Sequence, residues 1–270
     1  DETGRDVEDV SAAGGWTEIR ERAGVLPPQP EATKKLTRTF ERLVHTDDPK
    51  QLALWKAGGV LRAAEDTVER RRVTMLEYQL RQRTLLGDPK QGLPWLFGDE
   101  VARGELGELG TVLTDRIASA SEVHPVAEWP LALHRHYKRR EIVAAVGYVT
   151  PGQKGKIPQG GILKLDGERE LLLVTLDKSG ASFSPTTRYR DYAISPTLFH
   201  WETQAIASVE RASGKRYLQS PGNGWSFYLF VRPTRDAAYA FMGPVTFVSA
   251  AGDRPIGITW RLAHEMSGAL

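Results

Sequence analysis

Five short β-type runs in the second half of this 270-residue chain limit its possible folds most strongly. The runs GILKL, ELLLVTL, SFYLFVR, AYAFMGPVTFVS and PIGITWRLAH lie between residues 161 and 264, with Gly, Pro and Asp turn signals between them. Short strands separated by turns are typical of barrels rather than of parallel sheets with helical crossovers. Ile162–Leu165 and Leu171–Leu176, joined by DGERE, predict a hairpin. We therefore expect a closed or nearly closed β-barrel-like domain.

The residues before Pro130 have the spacing of helices. Apolar residues at Leu36, Phe40 and Leu43 recur at helical intervals, and AAEDTVERRRVTMLEYQLRQRTLL combines strong helix formers with opposite charges at helical spacing. DDP at 47–49 predicts a turn with a helix N-cap, and the acidic, aperiodic start predicts disorder. We predict an α+β protein with a disordered start over residues 1–15, a helical connector over 16–125 and a β-rich domain over 131–270. Near the start of this last domain, HYKRREIVAAVGY predicts one more helix.

The net charge of +2 is distributed unevenly between the two main parts. Residues 131–270 hold 18 Lys and Arg against 11 Asp and Glu, about +7, and the first 130 residues hold 18 against 23, about −5. Sixteen of the 23 aromatic residues also lie after residue 130. A basic half that is rich in rings favours a polyanionic partner, although a charge of this size also suits an ordinary solvated surface.

Composition argues against several classes of protein. No apolar run approaches the roughly 18 residues that a membrane-spanning helix needs, and no signal peptide opens the chain. The absence of cysteine excludes disulfides and thiolate metal sites, and it fits a reducing cytoplasm. Because the chain starts at Asp1 rather than at methionine, we expect a fragment of a longer protein.

No catalytic motif is complete in this sequence. KGKIP and ASGKRY lack the spacing of a phosphate-binding P-loop, and no GxSxG nucleophile turn occurs. HYK, with His136 and Lys138, suggests a phospholipase-D-type nuclease but lacks the asparagine or aspartate that follows in such sites. The HRH pair at 134–136 has no carboxylate at a familiar metal-ligand spacing. We therefore predict that this chain is not itself an enzyme and holds neither metal nor cofactor.

The stretch FSPTTRYRDYAISPTLFHWETQ, residues 183–204, fits neither a strand nor an amphipathic helix cleanly. Its side chains are of the types needed to recognise a base swung out of duplex DNA: rings that stack on it, and a carboxylate that accepts from a cytosine amino group. Stacking contributes roughly 1–3 kcal/mol per base, comparable to the few kcal/mol that unstacking costs. The residues that we predict for this base pocket are Phe183, Tyr189, Asp191, Tyr192, His200 and Trp201.

Basic and hydroxyl side chains near the pocket suit the phosphates on either side of an extruded base. The predicted phosphate contacts are Lys178, Ser184, Thr186, Thr187, Arg188, Arg190, Arg211, Lys215 and Arg216. A plainer interpretation stays open, because Phe183, Tyr192, Phe199 and Trp201 also suit a barrel core. Asp191 beside Arg190 equally suits a structural ion pair.

The same stretch resembles part of a known bacterial domain. The domain that ends superfamily-two DEAD/DEAH-type helicases is similar to the segment VTLDKSGASFSPTTRYRDYAISPTLFHWETQ of this chain. The likeness extends to HYKRREIVAAVGY before this segment and to GPVTFVSAAGDRPIGITWRLAHEM after it. Many of these proteins begin with a phospholipase-D-like nuclease. SauUSI-like type IV restriction enzymes have this arrangement, and their C-terminal region recognises 5-methylcytosine and 5-hydroxymethylcytosine. The likeness covers residues 134–270 and is weaker over the helices before them.

The resemblance implies a DNA-reading domain in restriction and phage defence in the bacterial cytoplasm. Its partners would be double-stranded DNA with a modified cytosine and the helicase and nuclease domains of the same polypeptide, which would supply the ATP- and Mg²⁺-dependent steps. The barrel would be similar to SRA/PUA readers, with a B3-like barrel as the alternative, and a homo-oligomer is compatible. Three other functions stay open: a reader of backbone phosphorothioate, a nuclease built on His136 and Lys138, and a non-catalytic scaffold of a helicase oligomer.

Overall fold

The computed structural model describes residues 9–10, 14–57, 67–81, 98–117, 123–149, 157–177, 190–220 and 222–266. The chain forms two compact units, one made of residues 1–131 with 135–156 and the other of residues 132–134 with 157–270. The first unit is helical and the second contains a mixed β-sheet, so the predicted α+β class with a helical N-terminal region is confirmed. Most of the predicted disordered start, residues 1–15, lies outside the described residues. None of the described helices is both long and apolar enough to cross a membrane.

The first unit is built from short helices around an apolar core. Its described elements are α1 (Trp16–Arg22), α2 (Glu31–Thr37), the 3₁₀ helix η1 (Arg38–Leu43), α3 (Pro49–Lys56), α4 (Thr67–Arg81), α5 (Glu100–Asp115), the two-residue strand β1 (His136–Tyr137) and α6 (Arg139–Ala145). The predicted N-cap is confirmed, because the Asp48 carboxylate accepts hydrogen bonds from the backbone N–H groups of Lys50 and Gln51. Trp55 and Leu106 are fully buried in the core that these helices share.

The described part of the second unit contains seven strands of the sheet and a helix that covers part of it. These elements are β2 (Ile162–Leu165), β3 (Arg169–Thr175), β4 (Tyr192–Ser195), β5 (Leu198–Glu202), α7 (Ala212–Leu218), β6 (Ser226–Arg232), β7 (Tyr239–Ala251) and β8 (Gly257–Leu262). The strands pair in the order β2-β3-β6-β7-β8-β5-β4. β3 runs parallel to β6, and the other neighbours along this order are antiparallel.

The sheet is open, so the expected barrel-like closure is not confirmed. β2 and β4 lie at the two ends of the strand order, and neither pairs with the other. The turn signals in the sequence predict where strands end but do not show which distant strands pair. The predicted hairpin is confirmed, since β2 and β3 are antiparallel with Leu165 opposite Arg169. β4 and β5 form a second hairpin, with a bulge between Ala193 and Ser195, inside the stretch that fitted no regular pattern.

The two faces of the sheet differ in what they contact. On the inner face, Leu172, Phe227, Trp201 and Trp260 pack with Tyr217 of α7 in one apolar core. The outer face carries the alternate residues of each strand, because successive side chains in a strand point to opposite faces. We use the names inner face and outer face in this sense throughout.

The outer face is buried at one end of the sheet and exposed at the other. At the closed end, formed by β3, β6 and the first half of β7, Leu171, Leu173, Phe230 and Phe241 are buried. These strands read as nearly continuous apolar runs, which is typical of strands that are buried on both faces. At the open end, formed by β4, β5, β8 and the second half of β7, buried and accessible residues alternate along LFHWE and GITWRL. Alternation of this kind indicates one solvated face.

Candidate nucleic-acid interface

A row of polar and aromatic side chains crosses the open end on the outer face. Tyr192, His200, Thr259 and Ser249 stand opposite one another in four neighbouring strands, β4, β5, β8 and β7. Directly paired residues project to the same face, so these side chains form one continuous strip, which we call the open-face row. At about 4.8 Å between strands the row is about 14 Å long. It is therefore long enough to contact more than one nucleotide.

The outer end of the row is a stacked pair of rings. The ring centroids of Tyr192 and His200 lie 4.9 Å apart with 29° between the ring planes. Tyr192 is 51% exposed although it is already stacked on His200. Ile194, two positions further along β4, is exposed as well. The hairpin thus presents a ring beside a small apolar surface, which is an arrangement suited to a planar ligand.

Backbone contacts hold an acidic and a basic residue next to this ring. Asp191 Oδ1 accepts a hydrogen bond of 2.9 Å from the backbone N–H of Glu202. In turn, Glu202 Oε2 accepts one of 2.9 Å from the backbone N–H of Arg190. Residues 190 and 191 are thereby tied to the end of β5, and the side chain of Arg190 is exposed. Asp191, Tyr192 and His200 of the predicted base pocket are therefore brought together.

Further residues of the outer face were not predicted from the sequence. Leu198, Arg261 and Thr246 form a second row beside the open-face row, and Arg261 is exposed. Thr259 and Ser249 belong to strands that follow the aromatic stretch by about fifty residues. The signal that could have found them is the alternation in GITWRL, which places Thr259 and Arg261 on one face.

Trp201 lies on the other side of the sheet from these residues. It is 5% exposed, and its ring centroid lies 5.3 Å from that of Tyr217 and 6.4 Å from that of Trp260. Because neighbouring residues in a strand point to opposite faces, His200 and Trp201 cannot both face the same ligand. Phe183 and Tyr189 lie outside the described residues.

The predicted phosphate contacts are not gathered around the ring pair. Arg211 and Lys215 are exposed, but they belong to α7 and the residue before it, and α7 packs on the inner face. Arg190 is the described member of the set that adjoins Tyr192. The members that lie outside the described residues are Lys178, Ser184, Thr186, Thr187 and Arg188.

Arg216 is bound inside the protein by a buried carboxylate. Its Nε lies 3.0 Å from Glu170 Oε2, an ion pair without the alignment of a hydrogen bond. The Tyr217 hydroxyl donates to Glu170 Oε1, and the Arg216 guanidinium lies 4.8 Å and 5.2 Å from the ring centroids of Tyr217 and Trp225. Burial raises the pKa of Glu170, while the Tyr217 hydrogen bond and the Arg216 charge act in the opposite direction. Arg216 therefore serves as the counter-ion of Glu170.

The HYK residues take part in hydrogen bonds within the first unit. His136 Nδ1 lies 2.8 Å from Asp47 Oδ2, and the His136 backbone N–H donates to Asp47 Oδ1 at 2.8 Å. The backbone N–H of Lys138 donates to Glu141 Oε2 at 2.7 Å. Among the described residues, no group of three or more His, Cys, Asp and Glu side chains is placed to hold a metal ion. The nuclease built on His136 and Lys138 stays an untested alternative.

Comparison with known proteins gives one family. Residues 131–270, just over half of the chain, match the family described as Domain of unknown function (DUF3427). The match spans the sheet and the open-face row. No curated protein matches the chain. The matched family is uncharacterised and is often found in helicase-associated proteins, in agreement with the helicase part of the resemblance noted in the sequence. The chain belongs to the DUF3427 family.

Proposed function

We propose that this chain is the DNA-binding, target-recognition part of a modification-dependent restriction enzyme and that it binds a modified cytosine on the open end of its sheet. The observation that carries the proposal is the exposed Tyr192 ring, stacked on His200 with Asp191 beside it. Double-stranded DNA with 5-methylcytosine or 5-hydroxymethylcytosine is the proposed partner. Cleavage and ATP hydrolysis are assigned to nuclease and helicase domains of the same polypeptide, in line with the resemblance to SauUSI-like enzymes.

Each part of the base has a suitable neighbour in this arrangement. Tyr192 supplies a flat surface on which an extruded base stacks, and such a stack contributes roughly 1–3 kcal/mol. The Asp191 carboxylate suits the amino group of cytosine, a hydrogen-bond donor. The exposed Ile194 suits the 5-methyl group, because an apolar surface releases water when the methyl group covers it.

The remaining residues of the outer face suit the sugar–phosphate backbone. Arg190 and Arg261 provide exposed cations on either side of the open-face row. Thr259 and Ser249 provide hydroxyl groups within the row, and hydroxyls commonly contact phosphate and sugar oxygens. Because an open sheet face accepts an extended ligand, the proposed interface needs no closed barrel.

Fluorescence anisotropy with matched duplexes tests the proposal directly. The duplexes carry cytosine, 5-methylcytosine or 5-hydroxymethylcytosine at one position and are identical elsewhere. We expect a modified duplex to bind more tightly than the plain one, with affinity falling steeply as salt rises. Equal affinity for all three would defeat the modification claim, and no binding at moderate salt would favour the scaffold alternative.

A variant pair links the affinity to the stacked ring. Tyr192→Ala should weaken binding of the modified duplex by about 5- to 150-fold, the equivalent of one lost base stack. Tyr148→Ala is the matched control, because Tyr148 is also an exposed tyrosine, at 39% of its surface, but belongs to the first unit. Equal effects of the two substitutions would contradict the assignment of the base to Tyr192.

The exposed apolar surface also favours a second candidate, a reader of phosphorothioate in the DNA backbone. A sulfur atom needs a shallow apolar contact rather than a hydrogen-bond acceptor, and the exposed Ile194 provides such a contact. In that case a phosphorothioate duplex binds more tightly than its phosphate counterpart, and Asp191→Ala leaves the affinity nearly unchanged. For the cytosine reader, Asp191→Ala weakens binding and sulfur substitution does not strengthen it.

A further inference from the structure

Gly257 lies against the His200 ring of the proposed interface. It is the first residue of β8 and stands opposite Glu202 of β5, two positions from His200 along the same face. The His200 ring lies so close that a Cβ atom added to Gly257 would be 2.9 Å from Cε1 and 3.3 Å from Nε2 of that ring. The His200 ring of β5 therefore contacts both the Gly257 position of β8 and the Tyr192 ring of β4.

The backbone conformation does not explain the glycine. The φ angle of Gly257 lies outside the left-handed region that favours glycine, so alanine would fit the backbone without strain. The other near neighbour of an added Cβ would be the backbone oxygen of Ala251, at an ordinary contact distance of 3.6 Å. What the glycine provides is room for the imidazole ring. Any side chain at this position would push His200 away from the sheet.

We propose that Gly257 is a positioning residue for the nucleobase-stacking site. Because Tyr192 rests on His200, the height of the imidazole above β8 sets the plane that Tyr192 presents at the edge of the sheet. A methyl group at position 257 displaces His200, and the displacement passes to Tyr192 through the ring contact. This inference rests on the proposed function, since it assigns the base to Tyr192.

A double-mutant cycle tests the proposal through affinity for a duplex with one 5-methylcytosine. Gly257→Ala should weaken binding by about 5- to 150-fold, as for a lost stack, without changing the denaturation midpoint of the protein. In a His200→Ala background the added methyl group has no ring to displace, so it should have no further effect. Gly222→Ala is the matched control, because among the described residues its added Cβ would meet only the Gln219 oxygen, at 3.5 Å.

A second readout concerns the protein without DNA. Because Tyr192 stacks on His200, its ring signals in NMR spectra, assigned through Tyr192→Phe, should carry a ring-current shift that changes in Gly257→Ala but not in Gly222→Ala. If Tyr192→Ala weakens binding while Gly257→Ala changes neither these signals nor the affinity, the positioning role is wrong and the proposed function stands. If Gly257→Ala moves the signals but Tyr192→Ala binds normally, the proposed function and this inference both fail. Equal losses from Gly257→Ala with and without His200 would also overturn the inference.

Discussion

The closed end and the open end of the outer face belong to one sheet, but the closed end is buried and the open end is exposed to solvent. At the closed end, Phe230 and Phe241 stack with their ring centroids 4.6 Å apart and are fully buried. At the open end, the corresponding positions hold His200, Ser249 and Thr259, which are exposed or half-buried. The first arrangement contributes stability through apolar burial, and the second leaves rings and hydroxyls available to a ligand.

The difference shows how one sheet can separate stability from function. The inner face carries the apolar core on which Trp260 and its neighbours pack, so the open end is supported from that side. The outer face then tolerates polar residues where it is solvated, because they need no buried partners there. If this comparison is correct, substitutions at the two ends should affect different measurements.

The largest effect is expected from Phe241→Ala at the closed end. Loss of a fully buried ring should lower the free energy of unfolding by about 3–5 kcal/mol, because a cavity replaces its contacts. Ser249→Ala, on the same strand and face at the open end, should stay within about 0.5 kcal/mol of the original protein. Urea denaturation measures the free energy of unfolding of both variants. Similar losses would contradict the proposed difference between the closed end and the open end.

The next effect concerns the buried ion pair near the closed end. Arg216→Met leaves the Glu170 carboxylate buried without its cation, so we expect a loss of about 3 kcal/mol at pH 7. Lys215→Met, at an exposed neighbouring position, is the control and should have little effect. Urea denaturation at several pH values measures the loss.

The loss in Arg216→Met should become smaller as the pH falls. Burial already raises the folded-state pKa of Glu170 above 4.5, and removing the cation raises it further. Below pH 4.5 the carboxyl is protonated in both states, so it carries no penalty. As the pH rises above 4.5, the unfolded state ionises first and stability falls until the folded pKa is passed. A loss independent of pH would contradict this assignment of the charge.

A carboxylate at the open end should affect specificity rather than stability. Asp191→Asn keeps an oxygen that can accept from the Glu202 N–H, so unfolding should change by less than about 0.5 kcal/mol. The amide no longer selects for an amino donor, and discrimination between 5-methylcytosine and thymine should fall by about 1–3 kcal/mol. Competition between two duplexes measures this, and undiminished discrimination would exclude Asp191 as the acceptor.

The smallest effect is expected from a cation on the outer face. Arg261→Ala should weaken binding of plain and modified duplexes alike, and it should reduce the slope of log affinity against log salt by about 0.9. Arg235→Ala, an exposed arginine in the β6–β7 turn, serves as the control. An unchanged slope would place the phosphates away from the second row.

Local elements were largely predictable, and the arrangement of the strands was not. SFYLFVR corresponds to β6 residue by residue, and the DGERE hairpin and the Asp48 cap follow from local chemistry. The parallel pairing of β3 with β6 joins segments that are more than fifty residues apart. Turn residues do not determine which distant strands pair, so nothing in the local sequence indicated whether the sheet would close.

The residue types of the candidate site were predictable from the sequence, but the face of the sheet on which each residue lies was not predicted. Asp191, Tyr192 and His200 come from one short stretch, and the hairpin brings them together. Trp201 was grouped with them although LFHWE alternates, and its period of two already places Trp201 opposite His200. Gly257 gave no signal, because its role depends on a ring contributed by another strand.

The bulge in β4 has a consequence for the behaviour of the protein at high concentration. β4 is the last described strand of the sheet, and a straight apolar border strand would act as a template for sheet growth from one molecule to the next. The irregular pairing between Ala193 and Ser195 bends the backbone there and interrupts the regular spacing of its amide groups. The protein can thus keep Tyr192 and Ile194 accessible without favouring filament formation.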